Sequence, residues 1–223
     1  MPITTCVLIP SYNEARTIGA IVRELKTRQL TVYVVEDGST DDTASIAKSE
    51  SAAVVVHSRN KGKGASLIEG FRHILKKEFE SVLVMDGDGQ HSVGDVDSFL
   101  KKMEETNADM VIGNRMSDTC SMPYVRIQTN HFMSWLISMM SGQTIPDSQC
   151  GFRLIKRKVL QDVKLGSMHY DTESELIIKA ARRGFKIESI PIKTVYQDER
   201  SRINPIVDTL RFVMLIVRIF FNR

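Results

Sequence analysis

The sequence predicts an α/β protein built on a mostly parallel sheet covered by helices, and three observations predict it. Short uninterrupted Val/Ile/Leu runs recur through the first half of the chain, and such runs mark strands buried on both faces. Stretches with helical periodicity separate them, the alternation that builds a parallel sheet. Polar clusters rich in Asp and Gly follow the ends of the runs, where open α/β sheets carry their ligands.

Residues 6–9 form an apolar run that Pro10 closes, a first strand. Ile18, Ile21, Val22 and Leu25 fall at i, i+3, i+4 and i+7, one buried helix face. Residues 32–35 are a second strand, stopped by Glu36-Asp37-Gly38-Ser39, with Ser39 or Thr40 placed to cap a short helix over 43–48. Residues 54–56 are a third strand, and 62–77 read as a helix with Leu67, Ile68, Phe71, Ile74 and Leu75 along one side. A fourth strand, 82–85, runs into Asp86-Gly87-Asp88. Ser92, with Asp95 three residues on, is a capping-box-like start for a helix from 96 to 105. Residues 110–112 are a fifth strand closed by Gly113. Beyond it the character changes. Residues 116–146 are rich in Met and Ser, with a helix over 125–141, and 151–155 are strand-like. A helix over 172–183 ends at Gly184, and a strand over 186–194 contains Pro191, which places it at an edge. No linker or repeat divides the chain, so one domain is expected over residues 1–203, with 204–223 as an appended apolar helix.

Composition narrows the function. The 223 residues hold 30 basic and 27 acidic side chains, a net charge of +3. That balance offers no nucleic-acid coat, which needs a clustered basic face. The 42% hydrophobic content is that of a globular chain with its own core. Cys6, Cys120 and Cys150 have neither CxxC nor metal spacing and fit free thiols in a reducing compartment. The first residues lack a charged and then apolar leader, and no uncharged apolar run reaches about 18 residues, so neither a secretory signal nor a spanning helix is expected.

Four polar clusters, residues 10–14, 37–41, 86–91 and 114–115, all follow strand ends and are expected on one rim. In Asp86-Gly87-Asp88-Gly89-Gln90-His91, two carboxylates two residues apart concentrate negative charge that a cation must neutralise. Oxygen ligands with a Gln carbonyl suit Mg2+ or Mn2+, which takes its other ligands from water and substrate phosphate. A Gly-rich turn with aspartates bonded to backbone accounts for the same residues. Asn60-Lys61-Gly62-Lys63-Gly64 opens a helix whose N-terminus can hold phosphate, or is a solvated turn; it lacks the P-loop spacing.

Taken together, these segments resemble the family 2 glycosyltransferases of the GT-A fold. The residues that carry the resemblance are Ile9-Pro10-Ser11-Tyr12-Asn13-Glu14, Val35-Glu36-Asp37-Gly38-Ser39-Thr40-Asp41, Asn60-Lys61-Gly62-Lys63-Gly64 and Met85-Asp86-Gly87-Asp88. Gly113-Asn114-Arg115, Asp147-Ser148-Gln149-Cys150-Gly151-Phe152-Arg153 and Glu175 before Ala180 continue it over most of the chain. The form with Gln90 and His91 is most similar to the polyprenyl-phosphate (dolichyl-phosphate) sugar transferase branch. The resemblance implies a Rossmann-like three-layer sandwich around a mostly parallel sheet. It also implies an inverting transfer of a mannose- or glucose-type hexose from a GDP- or UDP-sugar to a polyprenyl phosphate.

It implies roles as well. Pro10, Tyr12, Glu14 and Asp37 would hold the nucleoside, with Asp37 at the base and Glu14 at a ribose hydroxyl, and Lys63 would reach the phosphates. Asp86, Asp88 and Gln90 would bind the metal ion, Asp88 at the reacting centre, and the late basic segment with Arg200 and Arg202 would close over the diphosphate. Charge developing on that leaving group is what a metal and arginines stabilise. A hydroxyl acceptor would need a general base, and Asp147 stands where inverting members carry one. A phosphate acceptor is already anionic and needs positioning by arginines; Arg115, Arg126 and Arg153 are the candidates, with Asn130 on the same helix face as Arg126. His91, Glu173 and Glu175 receive no role.

A lipid acceptor implies a membrane-facing surface. Residues 132–140 are unusually apolar, and from Ile206 to Phe221 the charges Asp208, Arg211 and Arg218 gather near one face, as in an interfacial helix. The protein is therefore expected in the cytoplasm, peripheral on the cytoplasmic membrane face, with no nucleic-acid partner. Three rival readings stand beside this one: the same donor with a saccharide or small hydroxyl acceptor and Asp147 as base, a sugar-phosphate nucleotidyltransferase, and a non-catalytic sugar-nucleotide binder. The nucleotidyltransferase should carry a Gly-rich basic signature after the first strand, where Pro10-Ser11-Tyr12-Asn13-Glu14 stands instead.

Overall fold

A computed structural model describes residues 4–120, 122–166 and 172–193. The expected helix over 204–223 and the boundary before it, together with Arg200, Arg202, Asp171 and His169, lie outside the described residues.

Seven strands form one sheet: β1 (Thr5–Ser11), β2 (Thr31–Glu36), β3 (Ala53–Val56), β4 (Ser81–Val84), β5 (Met110–Asn114), β6 (Arg153–Lys156) and β7 (Ile187–Pro191), in the order β3-β2-β1-β4-β6-β5-β7. The helices between them are α1 (Ile18–Thr27), α2 (Thr43–Ser49), α3 (Lys63–Ile74), α4 (Val96–Thr106), α5 (Tyr124–Ser141), α6 (Arg157–Asp162) and α7 (Thr172–Arg182). Strand β1 is buried at successive positions from Cys6 to Ile9, so helices cover both of its faces. Gly70 of α3 lies so close to β1 that a Cβ there would stand 2.4 Å from a Leu8 methyl.

The direction of the strands places the site. Strands β1 to β4 pair in parallel, and β7 is parallel to β5. Strand β6 is antiparallel to both β4 and β5. Six strands therefore end on one rim and β6 begins there, which brings residues 147–152 to the place where the other loops converge. Pro10 stands where the β1–β4 ladder stops: Val84 is the last β4 residue in register, opposite Leu8, and the Met85 N–H still donates to the Leu8 carbonyl. With no N–H, Pro10 cannot carry that ladder further.

The structure moves several expected boundaries. Gly113 lies inside β5 rather than closing it. β3 is an edge strand, half exposed. Ser92 caps a 3-10 turn over Val93–Asp95 through the Gly94 N–H, one turn before α4 begins, and the Asp95 side chain does not complete a capping box. Asp41, not Ser39 or Thr40, receives the first N–H of α2, that of Thr43 at 3.1 Å. The edge position expected for β7 holds.

Candidate active site

Three segments on the β1–β2 side are knitted into one surface. The Asn13 N–H donates to Ser39 Oγ at 2.9 Å, the Glu14 N–H to Thr43 Oγ1 at 2.8 Å, and Asn13 Oδ1 accepts from the Thr40 N–H at 2.8 Å. Asn13 takes a positive φ of 55° to make this turn, a conformation Asn tolerates better than most residues. Asp37 is buried at the end of β2, and its carboxylate anchors the segment before α3. Oδ1 lies 2.6 Å from His57 Nδ1 and accepts from the Lys61 N–H at 2.9 Å, while Oδ2 accepts from the Gly62 N–H at 2.7 Å. Gly38 permits the approach, since a Cβ there would stand 2.4 Å from the Arg59 carbonyl carbon. The structure thus gives Asp37 an anchoring task that its expected place beside a base did not include. Tyr12 and Glu14 are half-buried on the same rim. Glu14 lies against the Asp86 loop, its Cγ 3.5 Å from where a Gly87 Cβ would be.

Beyond β4, Asp86 meets a cation of the chain's own. Lys63 Nζ, in the first turn of α3, is 2.6 Å from Asp86 Oδ1 and 3.4 Å from Glu173 Oε1 at the start of α7. Burial alone would raise the Asp86 carboxyl, but Lys63 outweighs it and holds the group at about 2. Lys63 stays protonated, its ammonium favoured by both carboxylates against burial. His91 stacks on Phe152, with ring centroids 5.0 Å apart, and its Nδ1 faces the Asp86 N–H at 3.4 Å. Burial pushes that imidazole down to about 4, so it is neutral at pH 7. Asp88 Oδ1 accepts from the Gln90 N–H at 2.9 Å, and both residues are half-buried. Gly151 makes room for the ensemble: a Cβ there would stand 2.5 Å from Asp86 Oδ2 and 2.9 Å from Lys63 Nζ.

On the β5–β6 side, Arg115 and Asp147 form a buried bidentate pair. Arg115 Nε is 2.8 Å from Oδ2 and one terminal nitrogen 3.0 Å from Oδ1. The backbone N–H groups of Arg115 and Gln149 also donate to the carboxylate, each at 3.1 Å. Burial works against the charge on Asp147, but these donors, Arg115 first, hold its carboxyl below the usual range. A general base needs an accepting lone pair turned toward substrate and a pKa near the working pH, and Asp147 has its oxygens committed to four donors. Arg153 is engaged by backbone in the same way. It is almost fully buried, and its guanidinium donates to three carbonyls, those of Cys150 at 2.8 Å, Ser148 at 2.8 Å and Glu173 at 2.7 Å. It clamps the 148–153 loop. Glu175, also buried, accepts from the Gly166 N–H at 3.0 Å and from Lys179 Nζ at 2.6 Å, tying down the segment before α7.

Helix α5 carries the remaining acceptor candidates. Arg126 lies half-buried in its first turn, four residues before Asn130, whose amide rests near the sulfurs of Met116 and Met122. The inner face of the helix packs Ile137, with Met133, Leu136 and Met140 beside it, against the core. Asn130 and Ser134 face inward, Ser134 Oγ accepting from the Ser148 N–H at 2.9 Å. Tyr124, Val125, Phe132, Trp135 and Met139 are all more than half exposed. Among the described residues no helix is long and apolar enough to cross a membrane.

The donor set fits a hard divalent ion. Asp86 and Asp88 offer carboxylate oxygens, and Asp86 is ionised at any ordinary pH. Gly151 leaves its outer oxygen uncrowded, and Gln90 adds an amide oxygen. Among the described residues no three His, Cys, Asp or Glu side chains gather as a metal site, so most ligands would come from a diphosphate and water. Sequence reasoning missed two members of this site. His57 carried no motif signal, and Glu173 reads as a charge favoured by a helix start; only the fold brings it to Lys63.

Comparison with known proteins bears on the family and the fold. The model of glycosyl transferase family 2 matches residues 6–164. An uncharacterized protein of Methanocaldococcus jannaschii is 35% identical over 200 residues, covering 86% of this chain and 82% of its own. A UDP-N-acetylglucosamine–dolichyl-phosphate N-acetylglucosaminyltransferase of Methanococcus voltae is 26% identical over 215 residues, 86% of either chain. Glucosyl-3-phosphoglycerate synthase from Mycobacterium tuberculosis, in complex with Mn2+, UDP and glucosyl-3-phosphoglycerate, superposes with a TM-score of 0.73 at 17% identity, over 97% of this chain and 79% of that one. At that identity the likeness is one of fold.

Proposed function

This chain is a member of glycosyl transferase family 2, with the GT-A fold, and from that premise we propose that it transfers a sugar from a nucleotide-sugar to a polyprenyl phosphate at a membrane surface. The observation that carries the acceptor assignment is the state of Asp147. The carboxylate placed to deprotonate a hydroxyl is buried, ionised and paired with Arg115. An acceptor that brings its own negative charge needs no such base, and a phosphate monoester is anionic near pH 7. The Methanococcus voltae relative, named for a dolichyl-phosphate acceptor, supports the same class.

The donor side follows from the rim. Tyr12, Glu14 and the Asp37-anchored loop shape the nucleoside surface, with Pro10 fixing the backbone before it. Asp86, Asp88 and Gln90 would hold Mg2+ or Mn2+, which supplies positive charge to the departing diphosphate. Manganese in the superposed synthase supports this set. Arg200 and Arg202 are assigned to the same developing charge on the resemblance alone. On the acceptor side Arg126 is the arginine left for the lipid phosphate, since Arg153 is spent on carbonyls and Arg115 on Asp147. Attack by the phosphate oxygen from the face opposite the diphosphate inverts the anomeric carbon. The outward apolar residues of α5, contiguous with Arg126, support docking at the lipid interface, and a cytoplasmic membrane face fits a nucleotide-sugar donor.

Incubation with radiolabelled nucleotide-sugars, polyprenyl phosphate and Mn2+, followed by organic extraction, tests the reading. Label in the lipid phase from at least one donor is expected. Label that appears only in water-soluble glycosides would reject the phosphate acceptor.

A further inference from the structure

Lys63 stands between two carboxylates that it does not treat alike. Its ammonium is 2.6 Å from Asp86 Oδ1 but 3.4 Å from Glu173 Oε1. That Glu173 oxygen is buried and receives no hydrogen bond among the described residues. A buried acceptor left in this condition is costly, and here it lies within a short side-chain shift of the strongest donor in the site. Closing the gap to ordinary charge-assisted distance needs a movement of about 0.6 Å. Gly151 keeps the space beside the pair free of a side chain.

We propose, on the reading that Asp86 binds a divalent ion, that Lys63 is a resident counter-ion which the metal displaces, and that Glu173 is the acceptor onto which Lys63 then moves. An ammonium at contact distance from Asp86 and a divalent ion on the same carboxylate repel each other strongly in a partly desolvated site. That repulsion favours the arrangement in which Lys63 withdraws from Asp86. With Lys63 on Asp86 the aspartate is neutralised and Glu173 is left in reserve. With metal on Asp86, Lys63 completes Glu173 and its buried oxygen gains a donor. In either arrangement Asp86 keeps a cation against it, Lys63 without metal and the divalent ion with it. Lys63 therefore weakens binding of free metal, since a ligand of the minor state is penalised by that state's small population. Glu173 reduces the penalty. Glu173 is a positioning residue acting through Lys63, and its effect must vanish when Lys63 is absent.

Electron paramagnetic resonance titration of Mn2+ alone separates the parts. Wild type, Lys63→Met, Lys63→Arg, Glu173→Gln and the double variant Lys63→Met/Glu173→Gln are compared, each checked for folding by circular dichroism. Lys63→Met is expected to tighten Mn2+ binding about tenfold, within the ordinary range for coupled sites. Lys63→Arg should stay near wild type, and Glu173→Gln should weaken binding by a similar factor. The double variant should match Lys63→Met. Should Lys63→Met not fold, Lys63→Gln, uncharged but still a hydrogen-bond donor, carries the same expectation. Affinity in the uncharged Lys63 variant no tighter than wild type, or a Glu173→Gln effect that persists without Lys63, overturns the inference. The metal reading beneath it is tested on wild type with Mn2+ plus UDP or GDP. Absence of Mn2+ binding there overturns that reading and this inference together, whereas binding there with unchanged Lys63 variants overturns the Lys63 exchange alone.

Discussion

Arg115 lays its guanidinium across both oxygens of Asp147, at 2.8 and 3.0 Å, with both side chains out of solvent. The pair joins the end of β5 to the loop before β6, so the two sides of the antiparallel crossing share one ionic lock. Removing one partner of such a pair strands the other charge, which costs about 3–5 kcal/mol. Asp147→Asn is expected to lower stability by that order in urea denaturation. Any loss of transferase activity should track the folded fraction. A fully folded Asp147→Asn protein with its rate reduced about a thousandfold would identify Asp147 as the base.

Arg153 gives a second separation of structure from chemistry. Its three carbonyl partners span Ser148, Cys150 and Glu173. Lysine cannot reproduce that fork, so Arg153→Lys should cost about 3 kcal/mol and speed amide exchange in residues 147–153. In the folded protein, the KM for polyprenyl phosphate should stay within about twofold of wild type if Arg153 only clamps the loop. Arg126→Lys, by contrast, should raise that KM by about tenfold, the loss typical of one charge-assisted contact.

These two arginines show where residue type stops being informative. The order of strands and helices was legible because apolar periodicity survives in β1 to β5 and α1 to α4. The four polar clusters were legible because each follows a strand end. The direction of β6 was not, since its short apolar run reads the same either way. Arginines near a rim read as phosphate ligands until the fold shows which acceptors have already claimed them. The Lys63–Glu173 approach was invisible for a similar reason: it depends on α3 and α7 meeting across β4 and β6, a relation that no local pattern carries.

Gly151 tests how tightly the Asp86 site is packed. A methyl group there would overlap the Asp86 carboxylate, at 2.5 Å, and press on Lys63. Asp86 has a short side chain with little freedom to retreat. Gly151→Ala should therefore reduce activity about tenfold or more, while overpacking costs about 1–3 kcal/mol of stability. Unchanged kinetics and an unchanged denaturation midpoint would show that the loop yields at no cost.

The buried imidazole predicts an acid dependence. His91 falls from 6.5 to about 4 because it is buried, and Asp86 sits at about 2 against 3.8 in the unfolded chain. Below pH 6.5 the unfolded chain binds a proton at His91 that the folded protein refuses, so stability falls as pH drops from 6.5 toward 4. The Asp86 contribution, full above 3.8, is lost from there toward 2. The His91 part amounts to roughly 3 kcal/mol at most. Urea midpoints measured from pH 7.5 to 4.5 should decline, and His91→Phe, which keeps the stack on Phe152, should flatten the decline. An equal slope in wild type and variant would assign the acid sensitivity elsewhere.

The outward face of α5 makes the last prediction. Phe132 and Trp135 are 55% and 59% exposed, while Ile137 on the opposite face is fully buried. The helix therefore carries large apolar side chains outward as well as inward, more than a helix with one buried stripe needs. Replacing Phe132 and Trp135 together by Ser should change stability by no more than about 0.5 kcal/mol each, because neither supports the core. If these rings enter a lipid interface, the same double variant should lose most of its binding to anionic vesicles in a co-sedimentation assay. Its KM for polyprenyl phosphate presented in vesicles should rise, while the KM for a short-chain, water-soluble polyprenyl phosphate stays unchanged. Equal loss on both acceptors would place the two rings in the acceptor pocket rather than on the membrane.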